Sequence, residues 1–262
     1  MTTYAKGTVH AHSTNSYDGK MSYREIREFL SARGLGFVCV TEHVERLGQG
    51  DVDRIVDDCR AHSDDRFVFV PGIEMDCFVV YFLGLERAAI DFASDRSAFD
   101  SLRAASSLCV CAHPVKADFL YPPWVLDASD GVEVVNTKYD GHHYLRPGSE
   151  RLFRRLKARR PHAVALAGMD FHEPAHFSPI HLRLTRPGDL SERFVLESLR
   201  TGAFALYRGE EPLDGYSFLK RQAARARIGL MDLSHAVNRR VAASGLRIPR
   251  SVKRALRRMM EG

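Results

Sequence analysis

Five apolar runs of the sequence end in residues that ligate metals. His10-Ala11-His12 closes the first, and Thr41-Glu42-His43, Gly72-Ile73-Glu74 and Ala112-His113-Pro114 close three more. Gly168-Met169-Asp170-Phe171-His172 closes the fifth. Residues two apart on a strand share a face, so His10 is expected beside His12 and Asp170 beside His172. A lone buried histidine is ordinarily a satisfied core residue. Five runs ending alike are harder to satisfy one by one, because each buried imidazole or carboxylate needs a partner. A shared metal satisfies them together. Mixed nitrogen and oxygen donors suit Zn²⁺, Mn²⁺ or Fe²⁺, and the lack of a cysteine cluster argues against a purely structural zinc. One ion takes about four protein ligands, so this set of donors implies two or three divalent ions. Two ions a few ångströms apart can hold both a nucleophilic water and the oxygens of a phosphate.

The elements that must carry these residues alternate in type. Strands are expected at Gly7–His12, Gly36–Thr41, 67–74, Phe78–Leu85, Ser107–Ala112, Gly131–Asn136, Ala163–Gly168 and Ala203–Tyr207. Ser22 and Glu25 form a capping-box pattern ahead of a helix whose apolar stripe is Ile26, Phe29 and Leu30. Further helices are expected at 51–61, Pro147–Arg159 and Leu190–Arg200. Gly36–Thr41 is apolar throughout, as a strand covered on both faces should be. Strand–helix alternation predicts a parallel sheet, and seven or so units predict its closure into a single β/α barrel over residues 1–207, with the chemistry at the strand C-termini.

Composition bounds the rest. The 262 residues are 45% hydrophobic, enough for a sizeable core, but hold no 20-residue apolar run, so no membrane span is expected. The N-terminus lacks the apolar stretch of a signal peptide. Cys39, Cys59, Cys77, Cys109 and Cys111 are odd in number and read as free core thiols of a reducing, cytoplasmic compartment. Cys77 is open to a zinc-ligand role, with the core role preferred. The net charge of +5 divides unevenly, +8 from Arg208 to Gly262 and −3 before it. Residues 208–262 read as a basic helical extension. Its apolar stripe (Ile228, Leu230, Leu233, Val237 and Val241) is expected to pack on the barrel or a partner subunit. Nucleic-acid binding by this tail is the sharper alternative but is not favoured, since no aromatic residues interleave with its cations.

The ordered motifs resemble those of the PHP (polymerase and histidinol phosphatase) family of metal-dependent phosphoesterases over roughly residues 5–207. The resemblance rests on His10-x-His12 followed by Tyr17-Asp18-Gly19, on Thr41-Glu42-His43, Gly72-Ile73-Glu74 and Ala112-His113-Pro114, and on Gly131–Asn136 and Gly168–His172. It implies a distorted seven-stranded, TIM-like β/α barrel of PHP type and a trinuclear site. By the same resemblance, His10, His12, Glu74 and Asp170 hold one metal, Glu74 bridges to a second held by His113, and Asp18, His43 and His172 hold a third. Two positions depart from the pattern. Glu42 replaces an aspartate that is not a ligand, and Tyr81 stands where the family has a histidine before an apolar-Leu-Gly-Leu run. The second metal is thus one ligand short unless Tyr81, Asp76 or Cys77 substitutes.

The expected activity is hydrolysis of a phosphomonoester or small phosphodiester by a metal-activated water, with His10, His12, Asp170 and His172 at its centre. Lys116, Lys138, His142, His143 and Arg146 lie in loops expected on the same side and are candidate substrate contacts. The alternative is a catalytically weakened metal-binding barrel acting as a regulatory or nucleic-acid-associated module. An amidohydrolase-like C–N hydrolase also begins with His-x-His, but no lysine is placed as its bridging ligand would be.

Overall fold

The computed structural model describes residues 4–140, 146–185 and 189–213, with residues 226, 228, 229, 232 and 233 beyond them. The chain divides into two compact units, Met1–Asp214 and Gly215–Gly262. The expected docking of the basic tail, and His142 and His143, lie outside the described residues. Of the tail's apolar stripe, Ile228 is buried and Leu233 is exposed.

In the first unit the elements are β1 (Tyr4–Ala11), α1 (Tyr23–Ser31), β2 (Phe37–Val40), β3 (Glu42–His43), α2 (Gln49–Ala61), β4 (Val68–Val70), β5 (Gly72–Met75) and β6 (Val80–Leu85). They continue through α3 (Asp95–Ala104), β7 (Ser106–Cys111), α4 (Pro123–Ala128), β8 (Gly131–Asn136), α5 (Thr137–Asp140), α6 (Pro147–Arg159) and β9 (Val164–Phe171). The last are β10 (Ile180–Thr185), α7 (Glu192–Thr201), β11 (Phe204–Arg208) and β12 (Glu211–Pro212).

The fold is mixed α/β, with one twelve-stranded sheet and seven α-helices among the described residues. Its hydrogen-bonded path runs β12-β11-β10-β1-β9-β8-β7-β6-β5-β3, while β2 pairs with β1 and β4. β1 is parallel to β2 and β9, and β8 is parallel to β7 and β9. The purely parallel sheet expected from the alternation is not found. β6 runs antiparallel to both β5 and β7, and β10 runs antiparallel to β1 and β11. The reason is connection length. Only residues 76–79 separate β5 from β6, far fewer than the dozen or so a parallel crossover needs. Val79 closes that turn with its N–H on the Asp76 carbonyl and φ of +53°. The strand expected at 67–74 is two strands, because Pro71 between them has no N–H for the ladder.

The helices follow their sequence signals. Ser22 and Glu25 cap α1 reciprocally, and Tyr23, Ile26 and Leu30 are its buried face. α6 occupies Pro147–Arg159, as its Pro at the first turn and its apolar spacing predict. The core joins inward residues of β1, β2, β4, β6, β7, β9 and β10 to Val195 and Leu199 of α7, and it includes the fully buried Tyr81. No helix of the described residues is long and apolar enough to cross a membrane.

Candidate metal centre

The strand ends, with the loop after β1, bring all eight expected ligands together. His10, His12, His43, Glu74, His113, Asp170 and His172 are buried, and Asp18 is half-buried. The centre of the arrangement is Glu74 at the end of β5. Its Oε2 lies 3.0 Å from His10 Nε2 and 3.3 Å from His12 Nε2, and its Oε1 lies 2.7 Å from His113 Nε2. Asp170 Oδ1 lies 3.5 Å from His12 Nε2 and 3.8 Å from His10 Nε2. Asp18 lies 2.9 Å from His172 Nε2 and 3.6 Å from His43 Nε2. The His12 ring packs against those of His43 and His172, at 4.5 and 4.2 Å, and these two lie 6.3 Å from each other.

Two backbone irregularities make this convergence possible. The register of β1 against β2 and β9 shifts between Val9 and Ala11, and His10 in the bulge has φ of +66°. Asp170 near the end of β9 has φ of +52°. Left-handed backbone at non-glycine residues costs about 1 kcal/mol or more each and persists where the surroundings over-determine it. Gly168 opens the space between them, since a Cβ there would stand 1.8 Å from Glu133 Oε1 and 2.9 Å from His10 Cβ.

A second set of residues fixes which nitrogen each ring presents. Glu133, fully buried on β8, accepts from His10 Nδ1 at 2.9 Å, from the His113 backbone N–H at 2.7 Å and from Asn136 Nδ2 at 2.9 Å. The Ser16 hydroxyl donates to Glu42 at 2.6 Å and so accepts from the His43 N–H at 3.0 Å and from His12 Nδ1 at 3.3 Å. Glu42 also takes the Ser13 hydroxyl and N–H and the Tyr23 hydroxyl. His172 Nδ1 donates to the Asp170 carbonyl at 2.8 Å. In His10, His12 and His172 Nδ1 is thus taken up as a donor, and Nε2 is turned toward the carboxylates, the orientation of metal-ligating histidines. The sequence reading passed over Glu133, Ser13 and Ser16. A carboxylate inside the otherwise apolar run Gly131–Val135 was the signal for Glu133.

Electrostatics bind the cluster in the same pattern. Burial pushes the Glu74 carboxyl up, but His10, His113 and His12 together hold it well below the usual carboxylate range. Burial works against a charged His12, yet Asp170 and Glu74 raise it to about 9. Burial and the neighbouring His12 bring His172 down to about 4.

The donor set fits divalent metal ions. Buried polar atoms of these residues without a hydrogen-bond partner include His12 Nε2, Asp18 Oδ1, His43 Nδ1, Asp170 Oδ2 and His172 Nε2. Four groupings have one donor atom per residue within 4.8 Å of each other: His12/Asp18/His43/His172, His10/Glu74/His113, His10/His12/Asp170 and His43/Glu45/Asp76. Tyr81 meets His10 edge-on with ring centres 5.0 Å apart, and its hydroxyl has no hydrogen-bond partner. Cys77 is exposed, which corrects its expected core position, and it belongs to none of these groupings. Asp76 faces His43 at 3.5 Å. The other four cysteines are buried free thiols, as expected.

Of the candidate substrate contacts, Lys138 Nζ stands 3.2 Å from Asp170 Oδ1 and Lys116 Nζ 3.1 Å from Asp76 Oδ1, both 5.7 Å from the Tyr139 ring centre. Arg146 is buried and braces α5, with Nε donating to Asp140 Oδ1 at 2.6 Å and Nη2 to the Tyr139 carbonyl at 3.1 Å.

No protein-family model and no curated protein matches the sequence. Solved structures do match. A two-domain protein from Bacteroides vulgatus ATCC 8482, containing a predicted PHP-like metal-dependent phosphoesterase, is similar with a TM-score of 0.57 at 17% identity. The similarity covers 79% of this chain, which spans 65% of the length of that one. PsfC from Pseudomonas syringae PB-5123 is similar with a TM-score of 0.52 at 15% identity, over 88% of this chain and 98% of PsfC. The fold of this chain is therefore PHP-like.

Proposed function

We propose that the protein is a metal-dependent phosphoesterase that hydrolyses a phosphomonoester or small phosphodiester. The observation that carries this reading is Glu74, whose two oxygens face His10 and His12 on one side and His113 on the other. A carboxylate so placed is suited to bridge two ions. In this reading His10, His12, Glu74 and Asp170 hold one Zn²⁺, Mn²⁺ or Fe²⁺, Glu74 and His113 a second, and Asp18, His43 and His172 a third. Bound divalent ions supply the Lewis acidity that makes water nucleophilic near neutral pH and offsets phosphate charge. Glu133, Ser16 and the Asp170 carbonyl keep the ring protons of His10, His12 and His172 on Nδ1, so that Nε2 lone pairs face the site. Lys138 and Lys116, at the rim beside Asp170 and Asp76, receive the phosphate oxygens. The same reading makes β4 and β5 one strand bent at Pro71, which completes a distorted seven-stranded barrel from β1 through β2, β4/β5, β6, β7, β8 and β9.

The test is metal analysis of protein purified without chelator, together with turnover of a panel of phosphomonoesters and short phosphodiesters. At least two transition-metal ions per chain are expected. Asp170→Ala should lower turnover to background while the circular dichroism spectrum is kept. Less than one ion per chain with no gain on adding Mn²⁺ or Zn²⁺, or near-full turnover by Asp170→Ala, would overturn the reading.

A further inference from the structure

The imidazole of His43 is 6% exposed and has two faces of ligand chemistry. Nε2 is turned toward Asp18. Nδ1 is turned the other way, has no hydrogen-bond partner, and lies 3.5 Å from Asp76 Oδ2 and 3.8 Å from Glu45 Oε2. Glu74 Oε2 is also 3.8 Å from it. The remaining oxygens of the acid pair are already engaged. Glu45 Oε1 accepts the Asp76 backbone N–H at 2.7 Å, and Asp76 Oδ1 takes Lys116 Nζ at 3.1 Å. These contacts aim Oε2 and Oδ2 at the imidazole. At the rim, Tyr17 stacks on the His43 ring with centres 4.8 Å apart and reaches Asp76 Oδ2 with its hydroxyl at 3.4 Å.

We propose that His43 Nδ1, Glu45 and Asp76 form a further divalent-cation site, outside the ligand set that the family resemblance implies. It deepens the metal-hydrolase reading, on which its role in the reaction rests. The separations support it. Donors around a tetrahedral ion with bonds of about 2.1 Å lie about 3.4 Å apart, close to the 3.5 and 3.8 Å found here. Two carboxylate oxygens and one imidazole suit Mn²⁺, Fe²⁺ or Zn²⁺. A ring that has lost both protons offers Nδ1 and Nε2 at once, so the acid pair and the Asp18–His172 group share one imidazole.

The experiment is anomalous diffraction from wild-type crystals soaked in Mn²⁺, joined to Mn²⁺ counting on the Glu45→Gln/Asp76→Asn variant. The expected result is a peak among His43 Nδ1, Glu45 Oε2 and Asp76 Oδ2, and a variant that keeps its fold and its other ions but holds one Mn²⁺ fewer per chain. Peaks confined to the groups around Glu74, His10 and Asp18, or an unchanged count in the variant, overturn the proposal. Should the variant fail to fold, the wild-type map decides alone. A peak at the acid pair in a chain that turns over no phosphate ester would overturn the proposed activity and leave this site standing.

Discussion

Glu133 illustrates how a residue outside the candidate ligand set positions its members. Its carboxylate takes three donors, from His10, the His113 backbone and Asn136. Glu133→Gln keeps the shape but replaces one acceptor oxygen by an NH₂ that faces donors. Metal affinity should fall about 10- to 100-fold, the usual effect of losing such a support. Isothermal titration with Mn²⁺ measures it, and unchanged affinity would show that His10 needs no anchor. Tyr81 poses the converse case. Its ring occupies the space beside His10, and Tyr81→His should tighten metal binding while losing core packing. The same titration, paired with a thermal melt, reads both effects. The residues that converge at the candidate metal centre were legible because histidines and carboxylates stand out at the ends of apolar runs. Their supports were not, because a serine such as Ser16 in a polar loop carries no pattern of its own.

At the level of elements, the helices were readable and the strand directions were not. Ser22 with Glu25, and Pro147 ahead of α6, are local signals that act within one turn of helix. Direction depends on connection length and pairing partner. The four residues between β5 and β6 already excluded a crossover, whereas Pro71 hid two strands in one apolar run. The turn from α2 to β4 offers a test with a sign. Asp64 is paired with Arg27, and its Oδ1 accepts the backbone N–H groups of Arg66 and Phe67, both at 2.9 Å. Arg27 first, then those two N–H groups, lower its carboxyl from 3.8 to about 2. A lowered acid stabilises the fold when ionised, so its contribution is full above the unfolded value and is lost as pH falls through the folded one. Asp64→Ala should cost about 1 kcal/mol near neutrality, the scale of a net hydrogen bond. The gap to wild type in urea unfolding should narrow as pH falls below the ordinary aspartate value. A gap independent of pH would remove the carboxylate from the account.

Over the whole molecule, the candidate ligands come from β1, β3, β5 and β9 and the segments that follow β1, β7 and β9. Ions that bind only this assembled set stabilise the fold by mass action. A hundredfold excess over Kd is worth about 2.7 kcal/mol, so Mn²⁺ or Zn²⁺ should raise the melting temperature and EDTA lower it. A melt indifferent to both would argue against a resident metal. The contact division after Asp214 leads to a second expectation. A chain ending there should keep both this metal-dependent melt and turnover of small phosphate esters. Loss of turnover in a folded truncation would make the basic segment part of the active site. The excess of positive charge in that segment was plain in composition, but composition does not say what a charge faces.

The left-handed backbone at Asp170 has a consequence for robustness. Alanine removes the carboxylate but keeps the Cβ that makes φ of +52° unfavourable. Glycine removes both. Asp170→Gly should therefore melt above Asp170→Ala, by about 1 kcal/mol in stability, since such backbone costs about that for a residue with a side chain. Neither variant would be active. Durability alone would favour glycine at this position, so an aspartate here fits a trade of sturdiness for the proposed chemistry.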